Sequence, residues 1–186
     1  MKYKNITKGR GDFGETDLLF GMKVSKSDSI IKLLGVIDEF NATLGLCIAH
    51  QVHLKDRLVQ IQNQLIDLMG YIAAIPSEEI KAVTYRARGR ENMQTYMDIL
   101  DSILEETAKV LDSRTGGQKG WANYGTTGPT SAFLDLATTV CRRCELELVD
   151  FLSTTSKVDA EKGDPLIKYF NRLSKVLYLY ARLEAQ

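Results

Sequence analysis

Glycines and cations cluster near the start of the chain, where they could bind an anion. Gly9, Gly11 and Gly14 follow one another closely, and glycine lets the backbone turn several N–H groups towards one negatively charged group. Basic side chains accompany them, namely Lys8, Arg10, Lys23 and Lys26. This combination indicates a site for a polyphosphate. The alternative is an N-terminal arm without a ligand.

The same glycines match two phosphate-binding motifs only in part. Their spacing spells G-x-G-x-x-G, but that fingerprint requires a preceding strand and a βαβ unit, and the sequence indicates neither. Gly9 and Gly14 also have Walker A spacing, yet Glu15 stands where that motif needs a lysine. The sequence therefore predicts an anion cradle without assigning it to either motif.

A second group of polar residues interrupts an apolar stretch further along the chain. Arg142 and Arg143 lie about 100° apart on a helix, so at least one of them approaches the apolar side. A buried arginine needs a carboxylate partner, and Asp38 lies within the apolar stripe of another predicted helix. We expect Asp38 to pair with Arg142, either in a binding site or as a structural ion pair between helices.

The cysteines and histidines are close enough in sequence to suggest metal ligands, but their context favours other roles. Cys141 and Cys144 form C-x-x-C in mid-helix without a second pair, so we interpret them as small core residues. Cys47, His50 and His53 are interpreted as a polar helix end. No metal site built from side chains is predicted.

Apolar residues that recur every three or four positions predict five helices. They cover about 27–49, 54–74, 90–111, 129–152 and a last segment in which Asp164 is the N-cap and Pro165 the first helical residue. Long helices with short connections favour an all-α up-and-down bundle. We expect one domain over 1–186, with an irregular glycine-rich nucleotide-binding segment at 1–24 and the bundle at 25–186. Residues 115–128 form a second irregular stretch.

The composition narrows the choice of partners. Lysine and arginine total 24, equal to aspartate and glutamate, so the charge balance does not argue for nucleic acid or a membrane surface. No apolar run approaches the ~20 residues of a membrane span, and no secretory signal is visible. Three cysteines suit a reducing compartment, so a cytoplasmic protein is expected.

Five motifs in order resemble one family, the ATP:cob(I)alamin adenosyltransferases of the propanediol-utilisation type. The N-terminal run T-K-…-G-D-x-G-x-T-x-L-x-x-G-x-x-V-x-K contains Thr7, Lys8, Gly11, Asp12, Gly14, Thr16, Leu18, Gly21, Val24 and Lys26. The run G-x-x-D-E-x-N follows at 35–41. The second predicted helix contains a match to Q-N-x-L-F-x-L-G. The last two motifs are V-C-R-R-x-E at 140–145 and N-R-L-S at 171–174. The resemblance implies a homotrimer of five-helix bundles with active sites between subunits.

The resemblance also implies the reaction. The enzyme would transfer the 5′-deoxyadenosyl group of ATP to the cobalt of cob(I)alamin, releasing triphosphate and giving adenosylcobalamin. Reduced cobalamin is a strong nucleophile, so the protein must position the ribose and stabilise the departing triphosphate without a general base. ATP, with Mg²⁺ or K⁺ as counter-ion, would be bound by Thr7, Lys8, Gly9, Arg10, Gly11, Asp12, Gly14, Thr16, Asp17, Lys26, Arg142, Arg143, Glu145 and Asn171.

The corrinoid side of the implied site is smaller. Asp38 and Arg142 would be the catalytic pair, and the corrinoid would contact Asp38, Asn41, Trp121 and Tyr124. The implied partners are a corrinoid reductase that supplies the electron and an adenosylcobalamin-dependent enzyme that accepts the product.

The sequence departs from the family pattern at three positions in the predicted helices. Thr138 and Leu146 stand where arginines are usual, and Lys175 replaces the aspartate that normally follows N-R-L-S. These departures leave open a non-catalytic carrier or sensor of the same fold that binds ATP or a corrinoid. A purely structural helical bundle is the third reading.

Overall fold

The computed structural model describes residues 11–50, 54–115, 123–125, 128–154 and 164–185. Within these residues, five helices form a bundle: α1 (Ser29–His50), α2 (Lys55–Ala74), α3 (Ile80–Thr115), α4 (Pro129–Thr154) and α5 (Pro165–Glu184). A β-hairpin precedes them, with strands β1 (Glu15–Asp17) and β2 (Lys23–Ser25) and a 3₁₀ turn at Leu19–Gly21. The predicted all-α five-helix fold is confirmed. None of these helices is long and apolar enough to cross a membrane.

The apolar stripes of the five helices meet in one core. α4 packs against α1 and α5, α3 packs against α5, and α2 lies against α1 and α3. Phe40, Phe170 and Tyr169 are among the largest fully buried side chains, and burying such a side chain stabilises the fold by about 1.5–3 kcal/mol. The hydroxyl of Tyr169 donates a hydrogen bond to Gln64 Oε1 at 2.8 Å, so this buried polar group has a partner.

Capping residues fix where the first and last helices begin. The N–H of Leu166 donates to Asp164 Oδ1 at 2.7 Å, and Pro165 follows the cap, as the sequence predicts. The N–H of Ile30 donates to Asp28 Oδ1 at 3.1 Å, so α1 begins at Ser29 and slightly later than expected.

The two cysteines of the C-x-x-C sequence are core residues, as interpreted. Cys141 Sγ lies 3.6 Å from the carbonyl oxygen of Phe170, and Cys144 Sγ lies 3.5 Å from that of Val36. Burial raises the pKa of the Cys144 thiol to about 12 and that of Cys141 well above its ordinary value. Both thiols therefore remain protonated and unreactive. His53 lies outside the described residues.

The start predicted for α3 is wrong, because the helix begins at Ile80 and runs for 36 residues. Its first turns are mostly exposed and carry only a thin apolar stripe, so the periodicity there is weak. One glycine on each helix allows α2 and α3 to pack closely. A Cβ on Gly89 would lie 2.4 Å from Tyr71 Cδ2, and a Cβ on Gly70 would lie 2.4 Å from the hydroxyl oxygen of Tyr85. Each tyrosine therefore uses the space that a glycine of the other helix leaves.

The prediction that 1–24 is irregular is also wrong for its second half. β1 and β2 pair antiparallel, with Thr16 opposite Val24. Strands of three residues are too short to produce a recognisable alternation in the sequence. The buried Leu18 anchors the hairpin, and its N–H donates to the carbonyl oxygen of Met22 at 2.7 Å.

Candidate functional site

A cavity of about 580 Å³ lies at the β-hairpin. It brings together three residues predicted to bind ATP, Gly11, Thr16 and Asp17. The described residues that line it are Gly11, Phe13, Glu15, Thr16, Asp17 and Lys23. Four other predicted ATP ligands, Thr7, Lys8, Gly9 and Arg10, lie outside the described residues.

Two glycines fold the chain back beside this cavity. Gly11 and Gly14 have φ values of 91° and 81°, which L side chains rarely adopt. The N–H of Gly14 donates to Gly11 O at 3.2 Å, and the N–H of Lys26 donates to Gly14 O at 2.8 Å. Residues 11–26 therefore form a closed turn and hairpin, which favours a cradle over an arm.

Lys26 lies directly against the turn. A Cβ on Gly11 would come within 3.1 Å of Lys26 Nζ and 3.0 Å of the carbonyl oxygen of Glu15. The ammonium group is thus held beside the backbone of a residue that lines the cavity. Asp12, also predicted to bind ATP, is exposed next to the turn and does not line the cavity.

The cavity carries both positively and negatively charged side chains. Lys23 lines it and Lys26 lies at its edge, while Glu15 and Asp17 place carboxylates on it. Cations and backbone N–H groups suit phosphate oxygens. Carboxylate and hydroxyl oxygens are the protein ligands that Mg²⁺ accepts while it also binds phosphates, so this set of donors fits a magnesium nucleotide.

The predicted buried pair of Asp38 and Arg142 does not form within the chain. Both side chains are exposed, and no hydrogen bond or salt bridge joins these two described residues. Arg143 Nη2 instead lies 2.5 Å from Glu39 Oε1, and both of these side chains are about half exposed. The physical reason is helical geometry. Asp38 follows the buried Ile37 by one position and so points about 100° away from it, towards solvent.

Two predicted ATP ligands from different helices do meet. Asn171 Nδ2 donates to Glu145 Oε1 at 3.2 Å, which joins α5 to α4 at an exposed position. The neighbouring Arg172 turns the other way and forms an ion pair with Asp101 of α3 at 2.6 Å. Asn171 and Glu145 therefore remain together and accessible, whereas Arg172 links helices.

Besides Asp38, two of the residues predicted to contact the corrinoid lie in the described part of the chain. The side-chain oxygen of Asn41 is buried and has no hydrogen-bond partner in the described part of the chain. A buried acceptor of this kind needs a hydrogen-bond donor, which a ligand or a neighbouring chain would supply. Tyr124 is 51% exposed in the segment before α4. Trp121 lies outside the described residues.

The sequence reasoning missed one buried ion pair, between Asp135 of α4 and Arg182 of α5. The side chain of Asp135 is 3% exposed and that of Arg182 is 18% exposed. The second carboxylate oxygen of Asp135 accepts from the N–H of Gly125 at 3.3 Å, so the pair also holds the segment that carries Tyr124. An aspartate within the apolar run of α4 is the signal that could have revealed it.

The positions that lack the family arginines are oriented in different ways. Thr138 is fully buried, and its hydroxyl donates to the carbonyl oxygen of Leu134 in its own helix at 2.8 Å. It therefore faces the core. Leu146 is 71% exposed on α4.

Residues 6–184 match the profile of the family described as Cobalamin adenosyltransferase. The chain therefore belongs to this family.

Two relatives from Citrobacter freundii illustrate the match. The Corrinoid adenosyltransferase PduO of that organism is 30% identical over 175 residues, which cover 94% of this chain and 48% of the relative. A protein described as Corrinoid adenosyltransferase is 27% identical over 176 residues, covering 94% of this chain and 91% of that relative. The chain thus spans about half the length of the first relative and nearly all of the second.

The fold is similar to solved structures of variants of a PduO-type ATP:corrinoid adenosyltransferase from Lactobacillus reuteri. One is described as complexed with ATP and has a TM-score of 0.69 at 20% identity, covering 95% of this chain and 91% of that one. Another is described as complexed with cobalamin and ATP, with a TM-score of 0.68 at 19% identity and coverage of 95% and 89%. At these identities, the likeness establishes the fold.

Proposed function

We propose that the protein transfers the 5′-deoxyadenosyl group of ATP to the cobalt of a reduced corrinoid, as a transferase. The observation that carries the proposal is the hairpin cavity, which Gly11, Thr16 and Lys23 line and beside which Lys26 lies against the glycine turn. Family membership and relatives described as corrinoid adenosyltransferases support the same reaction.

The hairpin residues would act on the triphosphate end of ATP. Lys23 and Lys26 would neutralise the charge that develops as the triphosphate leaves, and backbone N–H groups of the glycine turn would donate to its oxygens. Asp17 and Glu15 would hold Mg²⁺, which would supply positive charge to offset that of the triphosphate. The corrinoid supplies the nucleophile, so the chain's own part is to bind, orient and stabilise charge.

The helical residues would bind the remainder of the substrates. Asn171 and Glu145, already hydrogen-bonded to each other, would offer an amide and a carboxylate to the ribose and adenine. The unpartnered oxygen of Asn41 and the exposed ring of Tyr124 would face the corrinoid. Arg142 is exposed and, in the described part of the chain, forms no hydrogen bond or ion pair, so it is available to a ligand.

The assembly proposed for this chain is a homotrimer with active sites between subunits. Adjacent helices α1 and α4 expose large apolar side chains, namely Leu46 on α1 and Leu136, Leu146 and Val149 on α4. Asp38 and Arg142 are exposed on the same two helices. A second copy would cover the apolar residues and pair Asp38 of one subunit with Arg142 of another.

The trimer can be tested by mass and by a double-mutant cycle. Light scattering at micromolar concentration should give three chains per particle, and a monomer mass would refute the assembly. Asp38→Asn and Arg142→Ala should each weaken the trimer and turnover, and their combined effect should be less than additive if the side chains touch. Additive effects would show that they do not.

A non-catalytic carrier or sensor of the same fold is the second candidate. The observation that favours it is the loss of two family arginines, since Thr138 is buried against its own helix and Leu146 is apolar. Incubation with Mg²⁺, ATP and chemically reduced cobalamin separates the two. Appearance of the alkylcobalamin spectrum supports the enzyme, whereas binding of ATP without that spectrum supports the carrier.

The setting we propose is the cytoplasm, where three buried thiols would stay reduced. A corrinoid reductase would have to deliver the electron that makes cobalt nucleophilic. An adenosylcobalamin-dependent enzyme would take the product. Co-purification of either partner with the tagged protein would test this setting, and neither nucleic acid nor a membrane is required.

A further inference from the structure

Phe20 has a backbone conformation that its side chain disfavours. Its φ and ψ are 67° and 22°, in the left-handed region, and it is the single non-glycine residue with positive φ in the described part of the chain. A bulky residue rarely adopts this conformation. It persists where the surrounding structure determines it, and such positions cluster at functional sites.

The ring of Phe20 is held by Tyr85 of α3. The two ring centroids are 6.2 Å apart with an interplanar angle of 67°, which is an edge-to-face contact. Tyr85 is itself seated on α2, since its hydroxyl lies where a Cβ of Gly70 would be. The tip of the hairpin is therefore connected through one ring to both helices.

This connection matters because the strands of the hairpin are short, and its other contacts with the core come from the buried Leu18 and the partly buried Met22 and Val24. An isolated pair of three-residue strands has marginal stability in water. Leu18 is buried beneath the turn, but the strand residues on either side are mostly exposed. Beside the tip, an open cavity of about 450 Å³ separates Phe20 and Met22 from the connection between α2 and α3.

We propose that Phe20 is a positioning residue for the nucleotide site. Its ring, seated on Tyr85, fixes the hairpin so that Thr16 and Lys23 stay on the cavity. Phe20 does not line that cavity, so it acts through the strands that it joins. The claim that Phe20 holds the hairpin rests on the hairpin geometry. The expected effect on ATP affinity rests in addition on the proposed function.

The test uses three substitutions in the full chain. Phe20→Gly removes the ring and also relieves the left-handed strain, because glycine adopts positive φ freely. Tyr85→Ala removes the other ring without changing the hairpin sequence. Leu19→Ala is the matched control, since Leu19 is the neighbouring apolar residue and is 44% exposed.

Three measurements are made on each variant: the Kd for Mg·ATP by calorimetry, hydrogen exchange of the hairpin, and thermal melting. Phe20→Gly and Tyr85→Ala should each raise the Kd roughly three- to tenfold, the effect of losing an aromatic pair. The amides of Leu18 and Lys26, which donate to Met22 O and Gly14 O, should exchange faster. Leu19→Ala should behave like the wild type, and Phe20→Gly should leave the melting temperature of the bundle unchanged. Tyr85→Ala also removes packing against Gly70 of α2, so its melting temperature is not used to judge the proposal.

The outcomes distinguish a failure of the positioning role of Phe20 from a failure of the proposed function. Wild-type exchange and affinity in Phe20→Gly would overturn the positioning role. A parallel fall in melting temperature and affinity in Phe20→Gly would overturn it as well, because the ring would then stabilise the whole fold and not the hairpin alone. A wild-type protein that binds no ATP would contradict the proposed function, while the exchange rates would still decide whether Phe20 holds the hairpin.

Discussion

The helical bundle and the N-terminal hairpin are held in place by different interactions. In the bundle, long stripes of fully buried side chains such as Leu33 and Leu177 fix the helices. In the hairpin, the path depends on glycines with positive φ and on the anchors Leu18 and Phe20. Substitutions in the bundle should therefore change stability, whereas substitutions in the hairpin should change ligand binding.

The largest expected effect is on the buried ion pair of the bundle. Asp135→Ala leaves Arg182 charged, mostly buried and without its partner, so the free energy of unfolding should fall by about 3–5 kcal/mol. Urea unfolding followed by circular dichroism measures it. The charge-free double variant, Asp135→Leu with Arg182→Met, should recover most of the loss. A loss below about 1 kcal/mol in Asp135→Ala, the range of exposed pairs, would mean that this pair behaves as though it were on the surface.

The next effect concerns the charge beside the glycine turn. Lys26→Ala should weaken Mg·ATP binding by about 1.5–3 kcal/mol, the contribution of a hydrogen bond to a charged group. Lys26→Arg keeps the charge and should retain part of the affinity. Calorimetry at two salt concentrations provides the measurement, because the wild type should depend on salt more strongly than Lys26→Ala. Equal affinities would place the phosphates elsewhere.

The backbone of the turn should show a somewhat smaller effect. Gly14 has φ of 81°, and no atom of the described residues lies within 4 Å of the position of a Cβ, so Gly14→Val introduces strain without a clash among these residues. Binding of Mg·ATP should weaken by about 1–3 kcal/mol with an unchanged melting temperature. Gly14→Asn should lose less, since asparagine tolerates positive φ better than valine. A loss of stability in place of affinity would remove the distinction between hairpin and bundle.

The smallest effect belongs to the exposed ion pair between α1 and α4. Glu39 and Arg143 are each about half exposed, and such pairs contribute about 0.2–1 kcal/mol. Glu39→Gln should therefore lower the free energy of unfolding by less than about 1 kcal/mol, and added salt should reduce the difference. Urea unfolding that gives a loss as large as that of Asp135→Ala would contradict the ranking.

The sequence predicts the bundle better than the hairpin for a physical reason. Periodicity and caps such as Asp164 are repeated over many residues, so most helix ends fall within two residues of the prediction. The start of α3 is missed because its stripe is thin and Gly89 looks like a break, although Gly89 is where Tyr71 packs.

Side-chain pairing is harder to predict than the helices themselves. The periodicity suggested that α1 and α4 face each other through charged residues, but the contact is formed by Glu39 and Arg143, one position beyond Asp38 and Arg142. Nothing in the sequence marks Phe20 as left-handed, because its conformation arises from the turn and from Tyr85.

The central claim is that the hairpin holds ATP for adenosyl transfer on the bundle. The most direct measurement follows alkylcobalamin formation and triphosphate release together, in the wild type and in Gly14→Val, with Mg²⁺, ATP and chemically reduced cobalamin. At an ATP concentration below the wild-type Kd, we predict one triphosphate per alkylcobalamin in the wild type, and a loss of both by roughly fivefold or more in Gly14→Val while the protein stays folded. Release of ADP or phosphate without alkylcobalamin, or full activity in Gly14→Val, would contradict the account.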